Sequence, residues 1–425
     1  MNHIVLSLLL MSLLALPTHS QTRPTERARN DSLYQLGIRF YAEGQYAHAI
    51  ETLKAVKDDS LAPGVAFYTG VSYAAANDFQ EARRHLESAV DFHPSNTGFR
   101  LHLARLLGQA GMLSDAEKHY EAILLVDSGS VPALTSLGLI ANDRRDYERS
   151  SLLFGQAVRR NPRDYLSYFH LGSALTSLGK GDSARIFLST SLTLNHGYTP
   201  AALLLASLHY RKQEYDDALR LYTLAGQQRP ESADTWYKIG LCLEKLGDHE
   251  GSVNAFRTAT VLDSLSEYAF AHLGQGYFQL GRFDSAAAAY QRAAEIDDEN
   301  PVFFLNLALA WERLDSTQHA VDAFHRSIAA YHPDKIGRVY GQLGALYYNR
   351  KKFREARNAY RKALQFDPSD TDACFYVAVA CDRLRDSRSA LAAYTLFLKT
   401  AGEDPARKED IERAKKRVRV LQLSQ

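Results

Sequence analysis

The sequence predicts an all-α fold in which pairs of short helices stack into a solenoid. A 34-residue pattern recurs eleven times between Asn30 and about Glu403. Within each copy, apolar residues return every three or four positions in two blocks, a spacing typical of two amphipathic helices. Each copy also has a small residue at position 8, another at position 20 and a bulky apolar residue at position 24. A period of this length indicates a solenoid.

The eleven copies define the predicted array, which we place over residues 30–404. They begin near residues 30, 63, 97, 131, 165, 199, 233, 267, 301, 337 and 371. The small residues are expected where paired helices approach closely, with the position-24 side chain filling the adjacent space. One helix pair cannot offset ~1–2 kcal/mol per residue of backbone ordering, so the copies should fold as a coupled array. Short turns between paired helices are predicted at Asn77–Phe79, Gly181–Ser183 and Gly281–Phe283.

The pattern resembles the tetratricopeptide repeat (TPR), and the copy Gly337–Asp370 shows the resemblance most clearly. Its residues in register are Tyr340, Leu343, Gly344, Tyr347, Phe353, Ala356, Tyr360, Ala363 and Pro368. The closing proline of the motif is kept only at Pro94, Pro162, Pro230 and Pro368. The resemblance covers about nine tenths of the chain. It implies a right-handed superhelix whose first helices line a concave, ligand-facing side.

The amino-terminal segment is predicted to be a secretory signal peptide, Met1–Ser20. Ile4–Leu16 has the length of a signal-peptide core and is too short to span a bilayer. The segment has no Lys or Arg, which leaves a disordered or membrane-tethering start as the alternative. Residues 21–29 are polar and predicted to form a flexible leader. We therefore expect an exported protein, located in a bacterial periplasm or peripheral to the outer membrane, without a transmembrane segment in the mature chain.

The carboxyl-terminal segment, residues 405–425, is predicted to form a capping helix. Ile411, Ala414, Val418 and Leu421 fall on one helical face, which would cover the apolar side of the last repeat. Acidic residues come early and basic residues late, as suits the helix dipole. A basic tail that binds a membrane or nucleic acid is the alternative.

The ninth copy has two extra residues around Tyr331-His332-Pro333. They predict a lengthened connection, which either bends the array or forms a harmless loop.

Composition and motifs exclude several classes of function. Fifty basic and forty-nine acidic side chains nearly cancel, which argues against a nucleic-acid partner. Of the three cysteines, Cys242, Cys374 and Cys381, the last two are seven residues apart on one predicted helix, about 10 Å and too far for a disulfide. Both occupy repeat positions normally taken by large core residues, so they should be buried thiols. No catalytic constellation or metal-binding spacing is present. The sequence therefore predicts no enzyme activity, no cofactor and no metal.

The resemblance places partner-binding residues at positions 2, 5, 9, 12 and 13 of each repeat. The candidates are Tyr34, Tyr41, Phe67, Arg105, Phe169, Tyr210, Arg211, Tyr237, Gln275, Phe278, Tyr348, Asn349 and Phe375. Rings flanked by polar groups suit an extended peptide or an amphipathic helix, although each ring could equally pack against the next repeat. Chaperone adaptors of this family clamp a carboxylate with Lys at position 5 and Asn at position 9. No repeat here has that pair, so that function is not carried over.

These observations predict a non-enzymatic scaffold or peptide-binding adaptor that acts on one or more proteins through its concave groove. The alternative is a structural accessory component of an envelope secretion or polysaccharide-export machine. A peptide receptor should depend on groove aromatics such as Tyr237 and Phe278. A bridging component should depend on convex or terminal surfaces instead.

Overall fold

The computed structural model describes residues 25–423, and the predicted signal peptide lies outside this range. The described secondary structure consists of helices, which confirms the all-α class. The predicted leader is wrong from Glu26 onward, because the first helix already begins there. Thr25 starts the helix by accepting a hydrogen bond from the Ala28 amide at 3.3 Å, and Glu26 supplies a negative charge in the first turn.

The chain divides into two compact units, of which the first is described over residues 25–196. Its ten α-helices pair in chain order as first and second helices of five repeats. They are α1 Glu26–Ala42, α2 Tyr46–Lys54, α3 Ala62–Ala75, α4 Phe79–Phe92, α5 Thr97–Gln109, α6 Leu113–Val126, α7 Val131–Asp143, α8 Tyr147–Arg160, α9 Tyr165–Ser177 and α10 Gly181–Leu194. Odd-numbered helices are the first helices of their repeats.

The second unit is described over residues 197–423 and contains six repeats and one further helix. Its helices are α11 Thr199–Arg211, α12 Tyr215–Gln228, α13 Ala233–Leu246, α14 His249–Leu262, α15 Glu267–Gln279, α16 Phe283–Ile296, α17 Pro301–Arg313, α18 Thr317–Ala330, α19 Pro333–Asn349, α20 Phe353–Phe366, α21 Thr371–Arg383, α22 Ser387–Ala401 and α23 Lys408–Leu423. Odd-numbered helices from α11 to α21 are again first helices.

Seven helix pairs have glycine at position 8, and each is closed by the contact that the repeat pattern predicts between positions 8 and 24. A Cβ atom built on Gly240 would lie 2.6 Å from the ring of Phe256, which is fully buried. The same construction on Gly37 places the atom 2.5 Å from Leu53. Since real Cβ contacts are longer, the glycine hydrogen is what allows the two helices to approach. This confirms why a small residue is needed at position 8.

The turn within each repeat depends on one residue with a positive φ angle, at position 15. Five repeats have glycine there, as at Gly44 and Gly247, and six have another residue, such as Arg145 with φ 61°. The second helix begins two residues after this turn residue, often behind an aspartate cap such as Asp146, which accepts from the Arg149 amide at 3.0 Å. One predicted turn is misplaced, because α10 already begins at Gly181.

The two extra residues of the ninth copy lengthen a helix and not a connection. Only Tyr331 and His332 separate α18 from α19, whereas four residues separate α16 from α17. Helix α19 has 17 residues, one turn more than the 13 of α17. Pro333 is its first residue, a position where proline fits because its missing N–H has no partner in a helix. The expectation of a lengthened connection is therefore wrong.

The last helix, α23, packs on the final repeat through the predicted face. Ile411, Ala414 and Leu421 are buried in the cluster that contains Tyr394 and Phe397. The contact is fixed by two charge-assisted bonds from the Arg417 guanidinium to the Asp382 carboxylate on α21, at 2.6 and 2.7 Å. Helix α23 therefore covers the apolar side of the last repeat.

Candidate functional site

The candidate rings at position 12 pack against position 17 of their own repeat. The centroid distances are 6.0 Å for Tyr41–Tyr46, 5.3 Å for Tyr210–Tyr215, 5.2 Å for Phe278–Phe283 and 5.5 Å for Tyr348–Phe353. These separations are typical of edge-to-face and tilted aromatic pairs. The rings therefore join the first and second helices, and only their half-buried outer edges remain for a partner.

The candidate rings at position 5 contact position 6 of the following repeat. The distances are 6.1 Å for Tyr34–Tyr68, 5.0 Å for Phe67–His102 and 5.6 Å for Tyr237–His272. Phe169 lies 5.1 Å from His170 on its own helix. Position 6 was missed in the sequence, although a ring recurs there at Tyr68, His102, His170, His272 and Tyr376. The pairs between repeats connect the first helices α1, α3 and α5 in the first unit, and α13 and α15 in the second.

The prediction that Phe375 contacts a partner is contradicted. Its side chain is 2% exposed, and its ring packs 5.0 Å from that of Phe397. The guanidinium of Arg413 on α23 also lies over the ring, 5.9 Å from its centre. The helix predicted to cap the last repeat thus covers this position, which closes it to a ligand.

The polar candidates Arg105, Arg211, Gln275 and Asn349 are all exposed on first helices. Arg105 follows His102 on α5, and burial of the imidazole, together with this arginine, lowers the pKa of His102. The histidine should therefore be neutral at pH 7. A neutral imidazole beside the Phe67 ring can both donate and accept one hydrogen bond.

A cleft in the second unit brings several concave positions together. This α15–α17 cleft has a volume of about 250 Å³, and its lining residues are Tyr268, Ala271, His272, Gln275, Asn300, Val302, Phe303 and Asn306. Tyr268, Ala271 and Gln275 hold the predicted positions 2, 5 and 9 of their repeat. Gln275 is the one candidate from the sequence that lines this cleft. The others lie outside it.

The α15–α17 cleft combines one exposed ring with two available amides. Tyr268 is 55% exposed and stands edge-on to Phe303, with centroids 6.1 Å apart. Within residues 25–423, the side-chain amides of Gln275 and Asn306 have no hydrogen-bond partner, whereas Asn300 caps α17 by accepting from the Val302 amide at 3.1 Å. Two unpaired amides beside an exposed ring can bind the backbone of an extended peptide.

A polar contact between His272 and Glu244 fixes one wall of the cleft. His272 Nδ1 lies 2.9 Å from the Glu244 carboxylate on α13, the preceding first helix. Partial burial, followed by the charge of Glu244, raises the pKa of the neighbouring Tyr237. Tyr237 is therefore a neutral hydrogen-bond donor at any physiological pH. The pair orients the imidazole that contacts the Tyr237 ring.

One group of metal-type donors occurs at the α11–α12 corner among the described residues. Nδ1 of His209 lies 2.5 Å from the Glu214 carboxylate and 3.9 Å from that of Asp217. Asp217 also contacts the guanidinium of Arg220. The hydrogen bond between His209 and Glu214 links α11 to α12, and the Arg220 guanidinium balances the charge of Asp217. These contacts explain the group as a structural link between the two helices. Its spacing of five and three residues across a turn is not one that sequence motifs would reveal.

The three thiols are buried and are not joined in a disulfide, which confirms the prediction for Cys374 and Cys381. Burial raises the pKa of Cys242 to about 12 and also raises those of Cys374 and Cys381. A thiol in this state is a poor nucleophile and a poor metal ligand. The thiols therefore belong to the core and not to a site.

The fold and the concave surfaces define a helical repeat protein, and the comparisons identify which kind. Tetratricopeptide repeat families match residues 34–97, 135–195 and 203–267, residues 73–137 and residues 337–370, and a TPR repeat family matches 274–315. Together these matches span well over half of the sequence. The chain belongs to the tetratricopeptide repeat family.

Relatives of known name match over part of their length. The chain is 24% identical over 259 residues to TPR repeat-containing protein YpiA of Bacillus subtilis, covering 57% of this chain and 59% of that protein. It is 24% identical over 243 residues to BBSome complex member BBS4 of Bos taurus, covering 57% of this chain and 46% of that protein. The chain thus spans about half the length of these curated relatives.

The chain is also similar to a protein of solved structure. YrrB, described as a TPR protein with an unusual peptide-binding site, is 20% identical, with a TM-score of 0.39, covering 42% of this chain and 91% of that one. Among the described residues, none of the helices has both the length and the apolar character required to cross a membrane.

Proposed function

We propose that this chain is a non-enzymatic adaptor that binds extended peptide segments through the concave side of its first helices. Membership in the tetratricopeptide repeat family supports an interaction role. The observation that carries the finer proposal is the α15–α17 cleft, where the exposed Tyr268 ring lies beside the unpaired amides of Gln275 and Asn306. An extended peptide presents alternating side chains and a backbone whose polar groups need partners.

The amides and the ring of the cleft would contact different parts of such a ligand. Each amide can donate to a peptide carbonyl and accept from a peptide N–H, contributing ~0.5–1.5 kcal/mol per hydrogen bond. The Tyr268 ring offers apolar area to a side chain at low entropic cost, as rings at interaction surfaces commonly do. The volume of about 250 Å³ admits a short segment and no globular domain. The ligand is therefore a linear segment of a protein.

Peptide selection on the purified chain tests this proposal. Peptides from a random displayed library should be enriched by the wild-type chain. Their affinity should fall about tenfold or more when Tyr268→Ala and Asn306→Ala are combined, since a ring contact and a hydrogen bond are lost. Val261→Ala is the matched control, because Val261 is 78% exposed on the second helix α14. Failure to enrich any peptide, or equal loss in the control, would contradict the proposal.

The export prediction belongs to the same proposal, because it decides which proteins the chain can meet. We infer that Met1–Ser20 is removed and that the mature chain starts at Gln21 outside the cytoplasm; the apolar run Ile4–Leu16 supports this. N-terminal sequencing of the chain recovered from a fractionated cell tests it. An intact Met1 on cytoplasmic material would exclude export.

A second candidate function is a bridging role in an envelope machine, such as one for secretion or polysaccharide export. It is favoured by apolar residues exposed on second helices, which would not contact a ligand bound to the groove of first helices. Leu125, Leu152, Ile186 and Val261 are 89%, 60%, 66% and 78% exposed. If this function is correct, changing these residues to Ser should release the chain from its partners, whereas changes at Tyr268 and Asn306 should have no effect.

A further inference from the structure

A second cleft lies between the last repeat and helix α23. This α21–α23 cleft has a volume of about 470 Å³, within the range of roughly 300–1,000 Å³ that ligand pockets occupy. Its lining residues are Val379 and Asp382–Arg383 on α21, Tyr394 on α22, and Arg413, Lys416–Arg417 and Val420 on α23. Helix α23 thus does more than cover apolar surface, because it supplies one wall of a concavity.

The charge of this cleft is strongly positive in a chain that is nearly neutral. Four cationic side chains and one carboxylate line it. The carboxylate, Asp382, is held by the bidentate bonds from Arg417 and is therefore neutralised. Arg383, Arg413 and Lys416 are exposed, and no carboxylate within residues 25–423 lies within 4.0 Å of their charged groups. Three uncompensated cations around one concavity attract an anion.

The floor and rim of the cleft are apolar, which restricts the kind of anion. Val379 is 3% exposed, the Tyr394 side chain is 2% exposed, and Val420 on the rim is 47% exposed. Because Val379 and Tyr394 are already buried, Val420 is the apolar surface that a ligand could cover. A small inorganic anion would leave Val420 in water, whereas an acidic chain with aliphatic side chains would cover it while its carboxylates reach the three cations.

The α21–α23 cleft also includes repeat positions that the family pattern assigns to the concave, ligand-facing side. Val379 holds in the eleventh repeat the position that Gln275 holds in the eighth, and Arg383 holds position 13, one of the ligand-facing positions of the family. We propose that the α21–α23 cleft binds an acidic peptide segment, whose Asp or Glu side chains pair with Arg383, Arg413 and Lys416. This inference rests on the proposed function and names the chemistry of its ligand.

The same displayed library, selected against the full chain and against Arg383→Gln/Arg413→Gln/Lys416→Gln, tests the proposal. Peptides enriched by the wild-type chain should contain more Asp and Glu than the starting library. Their affinity should fall about tenfold in the triple variant, because three partly exposed ion pairs are lost, and it should fall as salt is raised from 50 to 500 mM. The control Arg388→Gln/Lys399→Gln/Lys408→Gln removes the same charge from exposed positions outside the cleft.

The outcomes separate this inference from the proposed function. If the wild-type chain enriches peptides without an acidic excess, or if the cleft variant keeps the excess, the acidic-peptide inference is wrong while peptide binding stands. If the wild-type chain enriches no peptide, both are wrong. An equal loss in the control variant would show that net charge, and not the cleft, attracts acidic peptides.

Discussion

Replacing Gly138 by alanine tests the packing rule that unites the repeats. A Cβ atom at this position would lie 2.7, 2.9 and 3.0 Å from three ring atoms of Phe154. The ring is 1% exposed and stacks on His170, with centroids 5.0 Å apart, so it has little room to move away. Overpacking of this kind costs ~1–3 kcal/mol, while alanine in a helix gains about 1 kcal/mol over glycine. The net effect is a destabilisation of up to ~2 kcal/mol.

Gly155→Ala is the matched control in the adjacent helix α8. A Cβ atom there would meet only the end of the flexible Arg159 side chain, at 3.9 Å. The control gains the same helix propensity without the clash, so it should stabilise the chain by about 1 kcal/mol. The difference between the two variants therefore isolates the clash and should be ~1–3 kcal/mol.

Hydrogen exchange read by mass spectrometry measures this difference locally, which matters because long repeat arrays need not unfold in one step. Backbone amides of α7 and α8 should exchange about 5- to 150-fold faster in Gly138→Ala than in Gly155→Ala. Equal protection in the two variants would refute the claim that position 8 of this repeat must be glycine because the Phe154 ring occupies the space.

Further predictions concern the capping contact, the turns, the thiols and the histidines. Phe397→Ala should lower the local stability of α21–α23 by ~3–5 kcal/mol in hydrogen exchange, because its ring is fully buried under α23. Arg145→Gly should stabilise by about 1 kcal/mol by removing a left-handed non-glycine residue. Cys242, with a pKa of about 12, should react with Ellman's reagent at pH 8 only after denaturation. Burial lowers the pKa of His102 and His170, so the unfolded state binds protons at these residues more readily than the folded state. Their contribution to the free energy of unfolding should therefore be fully present above about pH 6.5 and be lost towards pH 5. His170→Asn should reduce that loss.

The sequence was sufficient to predict contacts that lie within one repeat. The position 8 to position 24 contact recurs because its two residues belong to the same helix pair, so its pattern survives in every copy. Contacts between repeats were harder to foresee. The pairing of Phe67 with His102 depends on the register of the next repeat, and the burial of Phe375 depends on where α23 docks. The two extra residues of the ninth copy add to helix α19 and not to the connection before it, because Pro333 is compatible with the first position of a helix.

The cleft residues illustrate the same limit. Gln275 was predicted because its position faces the groove, whereas Asn306 occupies position 6, which the family pattern does not assign to ligands. The α21–α23 cleft could not be foreseen at all, because its cations come from two segments about thirty residues apart whose packing only the structure shows. Sequence periodicity predicts helices well and predicts concavities between them poorly.

Site-specific photocrosslinking in the native host tests most directly whether partners bind the concave side. A benzophenone amino acid would replace Gln275, which is exposed on the first helix α15, or Val261, which is exposed on the second helix α14. The adaptor proposal predicts a discrete crosslinked product from position 275 that is lost when Tyr268→Ala and Asn306→Ala are added, and no such product from position 261. A product from position 261 alone would contradict it and would favour the bridging role.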